Sequence, residues 1–321
     1  MLHFAPKPGV SLLAALLLSP LLALAQPPAP HFVIFGDSLS DPGNVFVVNN
    51  VGFDEGANNV PPHYNNDDGG LNPNAAYARG GHHISNGSTW IEVLTKNLGY
   101  GVNGNAAFAS DNPLATNYAV AGARARDRSA EGAIDLGDEV QAFLADFGAG
   151  NAPADALYVI EAGSNDVFDV AREQSPTPAL LALQSIGDNI IALYMNGARK
   201  FLVLGTPNLG LTPIAQLMGA SDEASAGAAG FNTALQVQVL APLAALPGID
   251  IRYFDLYAAV TDIVANHETF GLTVLDAPCI TPDVAPFVCA DPDTYMFWDG
   301  IHPTRAVHAI LAGKVQAFLA P

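Results

Sequence analysis

Short, almost continuous apolar runs alternate along this chain with longer stretches in which apolar residues recur every three or four positions. Runs of the first kind are typical of strands buried on both faces, and stretches of the second kind are typical of helices with one apolar face. The pattern predicts five strands, at residues 31–35, 117–121, 156–160, 200–204 and 251–255. It predicts helices at residues 84–98, 136–147, 178–195, 224–245 and 304–319.

This alternation of strands and helices predicts an α/β domain built on a five-stranded parallel sheet. Parallel strands need long crossover connections, usually helices, so helices cover both faces of such a sheet and give three layers, α/β/α. Ligands of these sheets bind beyond the carboxyl ends of the strands. We therefore expect the functional side chains to lie just after strands.

Two segments interrupt the alternation. Residues 42–84 are rich in Gly, Asn, Asp and Pro, and residues 271–297 contain both cysteines and four prolines. Connections of this length are usually functional loops or disordered segments. We interpret both segments as loop insertions in one domain.

The first 25 residues have the pattern of a targeting segment. Residues 1–8 carry one Lys and no acid, residues 12–24 are apolar but interrupted by Pro20, and Ala23-Leu24-Ala25 is a small-x-small cleavage signal. The pattern predicts a signal peptide at residues 1–25 and a single secreted or periplasmic domain at residues 26–321. A retained anchor helix is the alternative. We expect no membrane span in the mature chain.

The charge balance argues against some kinds of binding partner. Against 31 Asp and Glu residues the chain has 12 Lys and Arg residues, a formal net charge of −19. This balance argues against nucleic acid and anionic lipid as partners, because both require a basic footprint. It is compatible with attraction of a cationic ester and equally with solubility in a salty habitat. The oligomeric state does not follow from the sequence.

Cysteine and histidine positions bear on the question of bound metals. The two cysteines, Cys279 and Cys289, predict a disulfide in an exported protein, and two thiols alone do not form a zinc site. Elsewhere, His82-His83 and Asp67-Asp68 occur in the same loop, but no ligand spacing repeats. We therefore predict neither a metal nor a cofactor.

The candidate catalytic residues occur in two short motifs. Phe-Gly-Asp-Ser-Leu-Ser-Asp follows the first predicted strand and places Ser38 at the strand end, while Asp-Gly-Ile-His-Pro near the other end supplies Asp299 and His302. A lone Gly-Asp-Ser turn is more often a helix cap. With the second motif, however, the chain order Ser, Asp, His is that of the α/β hydrolases. We predict a serine hydrolase in which Ser38 is the nucleophile, His302 the base and Asp299 the group that orients it.

Two further motifs complete a resemblance. Asn-Tyr-Ala-Val-Ala-Gly-Ala includes Gly122, and Gly-Ser-Asn-Asp includes Asn165. With the two motifs above, in this order, the chain resembles the GDSL family, also called SGNH hydrolases. The resemblance implies a flavodoxin-like three-layer fold and an acyl-enzyme on Ser38. It also implies an oxyanion hole formed by the backbone N–H groups of Ser38 and Gly122 and the side chain of Asn165.

The resemblance also sets the range of functions. The chain looks like secreted bacterial lipases and acyltransferases with the same serine motif, so we expect an esterase or lipase that takes a small-molecule or lipid ester. Phospholipase, glycerophospholipid acyltransferase and choline-ester hydrolase activities are alternatives at the same site. A catalytically silent binding domain is a third class, which the intact set of motif residues argues against.

Four polar residues near these motifs have less direct roles. We expect Asp37 and Asp41 to be structural, bracing the serine turn or capping the first helix. Asn44 is a candidate for the wall of the acyl or leaving-group site. His308, six residues after His302, is expected to serve in packing or capping.

Overall fold

The computed structural model describes residues 29–48, 83–281 and 288–320. The predicted signal peptide at residues 1–25 lies outside the described residues, and so does most of the first predicted insertion, at residues 49–82.

A parallel sheet of four strands forms the centre of the described fold. The four strands are β1 Phe32–Gly36, β2 Leu157–Glu161, β3 Lys200–Leu204 and β4 Asp250–Phe254. They run in the order β1-β2-β3-β4, and neighbouring strands pair over their full length. All of β1 and four of the five residues of β2 are buried, as expected for strands covered on both faces.

The prediction of a fifth strand at residues 117–121 is wrong in one respect. This segment does run parallel to the outer edge of β1, where Tyr118 N donates to Ile34 O at 2.8 Å and Val120 N donates to Gly36 O at 3.0 Å. It forms only isolated bridges, however, because the Gly36 N–H, which would continue the pairing with this segment, donates to the Glu139 carboxylate at 2.8 Å instead. The side-chain amide of Asn44 donates to Asn117 O at 2.8 Å and to Ala119 O at 2.9 Å. A polar side chain thus closes the sheet edge.

Helices cover both faces of the sheet, so the predicted three-layer α/β/α architecture is confirmed. The helices are α1 Asn44–Val48, α2 Trp90–Asn97, α3 Leu136–Phe147, α4 Ser164–Glu173, α5 Thr177–Met195, α6 Pro213–Leu217, α7 Ser221–Ala234, α8 Ala241–Leu243, α9 Leu256–Ala265 and α10 Arg305–Leu319, with a π-helical turn Leu235–Leu240 between α7 and α8. One core packs Phe35, Ile160 and Val203 against α3, α5 and α7. The other core packs Ile34, Val159 and Leu202 against α2, α9 and α10.

Helix α2 begins later than the periodicity predicts. Its apolar pattern starts at residue 84, but the helix starts at Trp90, because the Glu92 carboxylate accepts the Thr89 N–H at 2.7 Å and closes the first turn there. Among the described residues, no helix combines the length and the apolar character that a membrane crossing requires.

The second insertion contains a small sheet of its own. Strands β5 (Val274–Pro278) and β6 (Tyr295–Phe297) pair in parallel, and a disulfide joins Cys279 to Cys289 just after β5. Cys279 N donates to Phe297 O at 3.0 Å. The disulfide is thereby attached to the strand that leads into the Asp299 motif.

His308 connects α10 to α2, two helices that cover the same face of the sheet. It is buried on α10, and its Nδ1 accepts the N–H of Trp90 at 3.1 Å, at the first residue of α2. This is the capping role expected from the sequence. Burial, together with the neighbouring His83 and His302, lowers the pKa of His308 to about 3.

We predict that His308→Asn makes stability less sensitive to acid. An Asn oxygen can still accept the Trp90 N–H, but it does not titrate. Because the pKa of His308 is depressed in the folded state, its contribution to stability is present above the unfolded value of 6.5 and is lost as pH falls toward 3. The free energy of unfolding of the wild type should therefore fall relative to the variant by about 1.4 kcal/mol per pH unit between pH 6 and pH 4. Urea unfolding at several pH values measures this difference, and parallel profiles would contradict it.

Candidate active site

Ser38 lies in a tight turn directly after β1. The turn is closed by hydrogen bonds from Ser40 N and Asp41 N to Asp37 O, both at 3.0 Å. Glycine is required before the turn, because a Cβ on Gly36 would lie 2.5 Å from the carbonyl oxygen of Glu161 on β2. The close packing of two strand ends therefore fixes the position from which Ser38 projects.

A continuous chain of hydrogen bonds joins Ser38 to the second motif. His302 Nε2 lies 2.8 Å from Ser38 Oγ, and His302 Nδ1 lies 2.8 Å from Asp299 Oδ2. The other carboxylate oxygen, Asp299 Oδ1, accepts the N–H groups of Ile301 at 2.8 Å and His302 at 2.7 Å. With Nδ1 donating to the carboxylate, Nε2 is free to accept a proton from the serine.

The backbone N–H of Gly122 has no acceptor among the described residues. Along residues 120–126, each backbone N–H except that of Gly122 donates to an acceptor within the described part of the chain. Gly122 has a left-handed backbone with φ +85°, and a Cβ there would contact nothing within 4 Å. Glycine is therefore needed here for its left-handed backbone conformation and not because a side chain would lack space.

Asn165 lies in the first turn of α4, beside the Gly122 loop. Its Nδ2 donates one hydrogen to Ala123 O at 2.9 Å, which leaves the second amide hydrogen for another acceptor. The preceding Gly163 has φ +115°, and a Cβ there would lie 2.6 Å from the Phe231 ring. The backbone N–H of Ser38 also donates to no acceptor within the described residues.

Two cavities adjoin these groups. A small cavity of about 50 Å³ is lined by Ser38, Asn165 and His302. A larger cavity of about 750 Å³ is lined by Gly122 and Asn165 but by neither Ser38 nor His302. Asn165 thus lies on the wall of both cavities. The structure brings the five predicted site residues to one region at the carboxyl ends of the strands.

Asp41 has the structural role that the sequence suggested. Its Oδ2 accepts the N–H of Ala121 at 2.7 Å and of Val45 at 3.0 Å, while its Oδ1 accepts the N–H of Gly43 at 2.7 Å and of Asn44. Burial raises the pKa of Asp41 to about 6, although these four bonds act against that shift. Asp41 therefore ties the serine turn to the loop that carries Gly122.

Two buried acids beneath the turn were missed by the sequence reasoning. Glu139 on α3 accepts the N–H of Gly36 at 2.8 Å and of Val120 at 3.1 Å. Glu161, at the end of β2, accepts the Ser40 hydroxyl at 3.0 Å. Burial raises the pKa of both acids well above the usual value. The sequence signal that could have identified them is that Glu161 ends an apolar strand and Glu139 lies on the apolar face of a helix.

The suggested role of Asn44 at the substrate site is wrong. Asn44 is fully buried, both its amide hydrogens serve the sheet edge described above, and its Oδ1 accepts the Phe108 N–H at 3.1 Å. It therefore has no polar group left for substrate. Among the described residues, no three His, Cys, Asp or Glu side chains converge as ligands of a metal ion would.

Sequence comparison places the chain among known proteins. A family model described as GDSL-like Lipase/Acylhydrolase matches residues 32–315. Two Arabidopsis thaliana proteins, each named GDSL esterase/lipase, are 27% and 29% identical to the chain over 334 and 337 residues, and the alignments cover 87% and 89% of those relatives. A third relative of the same name and organism is 31% identical, but the alignment covers only half of each chain. These relatives are plant proteins, not bacterial ones.

A solved lipase structure from a goat rumen metagenome also aligns with the chain. It is 12% identical, with coverage of 90% of this chain and 97% of the other, and the TM-score is 0.40. That score is too low to support a conclusion about this chain.

Proposed function

Since this chain belongs to the GDSL-like lipase/acylhydrolase family, we propose that Ser38 cleaves carboxylic esters through an acyl-enzyme. The observation that carries the proposal is the unbroken hydrogen-bond chain from Ser38 through His302 to Asp299, with both histidine bonds at 2.8 Å. Hydrolysis of esters is the activity of the family, and the assignment of roles to these three residues is our inference.

The proposed reaction has two halves. As Ser38 Oγ attacks the ester carbonyl carbon, His302 Nε2 takes the serine proton, and Asp299 stabilises the resulting imidazolium. The tetrahedral intermediate then collapses, and the departing alcohol oxygen takes the proton from His302. A water molecule repeats the sequence on the acyl-enzyme, releasing the acid and restoring the Ser38 hydroxyl.

Three donors are available to the oxyanion. These are the backbone N–H groups of Ser38 and Gly122, which donate to no acceptor among the described residues, and the second amide hydrogen of Asn165. Donors held in place before the reaction stabilise the developing charge without reorganisation, and loss of one typically costs about 3–4 kcal/mol in the transition state.

The alcohol part and the acyl part of the ester are assigned to different cavities. The leaving alcohol has to lie near His302, which protonates it, and His302 lines the small cavity of about 50 Å³. The acyl substituent of the carbonyl carbon lies on the side away from the leaving alcohol, and the larger cavity is the one that His302 does not line. We therefore assign the acyl chain to the larger cavity.

The larger cavity suits a long acyl chain. Its volume of about 750 Å³ lies in the range of small-molecule sites, and Phe168, Leu183 and Phe231 are among its apolar lining residues. Two further lining residues, Leu180 and Met218, are 60% and 73% exposed at the protein surface. This combination favours lipid esters over short-chain and choline esters as substrates.

We predict that Ser38→Ala abolishes ester hydrolysis. Without the nucleophile only binding and oxyanion stabilisation remain, so kcat for p-nitrophenyl esters should fall by about 10⁶-fold. Ser164→Ala is the matched control, because Ser164 lines the same cavity and its hydroxyl has no partner among the described residues. A Ser38→Ala variant that retains the activity of the control would contradict the proposal.

We predict that Gly227→Leu shortens the preferred acyl chain. Gly227 on α7 lines the larger cavity, and a Cβ there would point toward Val167 at 3.4 Å, so a leucine side chain would fill the space between α7 and α4. Loss of room for several methylenes should reduce kcat/KM for p-nitrophenyl decanoate by about tenfold or more, while p-nitrophenyl acetate is cleaved as before.

Gly313→Leu provides the control for that variant. Gly313 lies on α10, where a Cβ would contact nothing within 4 Å, and it does not line the cavity. Equal loss on both esters in Gly227→Leu, or no loss on either, would contradict the assignment of the acyl chain. If glycerol or a sterol added to the assay captures the acyl group in place of water, acyl transfer is the better description of the second half-reaction.

A further inference from the structure

Three arginines follow Gly122 at alternate positions, and two of them bind its carbonyl oxygen. Arg124 Nη1 donates to Gly122 O at 2.7 Å, and Arg128 Nη2 donates to the same oxygen at 3.3 Å. Arg126, between them, makes no such bond and pairs with Asp169 and Glu173. The carbonyl of a proposed oxyanion-hole residue is thus held by two guanidinium groups.

Both guanidinium groups are themselves anchored to helices. Arg124 Nε and Nη2 bind the two oxygens of Asp169 on α4 at 2.8 and 3.0 Å. Arg128 Nε and Nη2 bind Asp135, the residue that caps α3, at 3.2 and 2.8 Å. Paired Arg–carboxylate bonds fix direction as well as distance. Although partial burial raises the pKa of Asp169, the Arg124, Arg126 and Arg172 guanidinium groups together outweigh that effect and hold this pKa below its usual range.

Arg124 has little capacity left for a substrate anion. It lines the larger cavity, but Nε and Nη2 are engaged by Asp169 and Nη1 by the Gly122 carbonyl. Its contacts therefore point to a role within the protein.

The peptide group that carries the Gly122 N–H depends on its neighbours for its orientation, because glycine imposes little conformation of its own. A glycine with φ +85° allows the adjoining peptide groups to rotate with few steric barriers. The peptide group before it is fixed, since Ala121 N donates to Asp41; the one after it is held at its N–H, since Ala123 N donates to Val120 O at 3.0 Å, and at its oxygen by the two arginines. The peptide group between them makes no hydrogen bond among the described residues, and if it turned over, its carbonyl oxygen would face and repel the oxyanion.

We propose that Arg124 and Arg128 are positioning residues for the oxyanion hole: they hold the Gly122 carbonyl and so keep its N–H directed at the reacting oxygen. This inference rests on the proposed function of Ser38 and Gly122. It requires the two arginines to act on the transition state more than on substrate binding, because the oxyanion exists only in the transition state and the adjoining intermediate.

The test compares Arg124→Met/Arg128→Met with Arg126→Met in the full chain. Methionine keeps most of the apolar side-chain length and removes the donors. The double variant should lose about 10- to 100-fold in kcat for a p-nitrophenyl ester, with KM within about threefold, because displacing one donor loses part of its effect. Arg126→Met removes the ion pairs with Asp166, Asp169 and Glu173 but no contact with Gly122. Its kcat should therefore stay within about threefold of wild type.

A second readout separates positioning from general destabilisation. An alkyl boronic acid forms a tetrahedral adduct with an active-site serine, so its affinity should fall in the double variant by about the same factor as kcat. If the double variant does not fold, Arg124→Met alone removes the shorter bond to Gly122 and should show the same pattern to a lesser degree.

Three results would overturn the inference. These are an equal kcat loss in the double variant and Arg126→Met, a loss confined to KM, and unchanged boronic acid affinity in an impaired double variant. Failure of the proposed function has a different signature, since the wild type would then cleave esters no better than Ser38→Ala.

Discussion

The 2.8 Å hydrogen bond between His302 Nε2 and Ser38 Oγ connects the carboxyl end of the central sheet to the disulfide-linked insertion. It joins residues 264 positions apart, so both ends must be fixed by separate parts of the fold. The sheet fixes the serine through Gly36 at the end of β1. The histidine is fixed by Asp299 and by Trp298 N, which donates to His302 O at 2.7 Å directly after β6. The disulfide-linked insertion therefore positions His302 as the sheet positions Ser38.

Beneath this contact, buried carboxylates take the place of backbone carbonyls as acceptors. Asp41 and Glu139 together accept six backbone N–H groups from the serine turn, the start of α1 and the loop before Gly122. Burying these acids is unfavourable, as their raised pKa values indicate, but the bonds offset part of that cost. The N–H groups of Ser38 and Gly122 donate to none of these carboxylates and to no other acceptor among the described residues, so they are available to the oxyanion of a bound substrate.

The sequence predicted those features that depend on local pattern. Four apolar runs mark the four sheet strands, and the motifs identify Ser38, Gly122, Asn165, Asp299 and His302, which the fold brings to one region. It failed where a distant side chain decides the outcome. The fifth strand is interrupted because the carboxylate of Glu139, on a helix, takes the Gly36 N–H that would otherwise continue the pairing with β1. The Arg124 anchor was equally hidden, since Asp169 lies on another helix 45 positions away.

Trapping the acyl-enzyme shows whether Ser38 is the nucleophile. Rapid mixing of the enzyme with an excess of a p-nitrophenyl ester, followed by an acid quench and peptide mass spectrometry, shows where the acyl group resides. We expect a burst of about one equivalent of p-nitrophenol per enzyme molecule and an acyl group on the peptide that contains Ser38, specifically on its hydroxyl. Ester cleavage with no burst and no acylated Ser38, or with the acyl group on another residue, would contradict the assignment of Ser38 as the nucleophile.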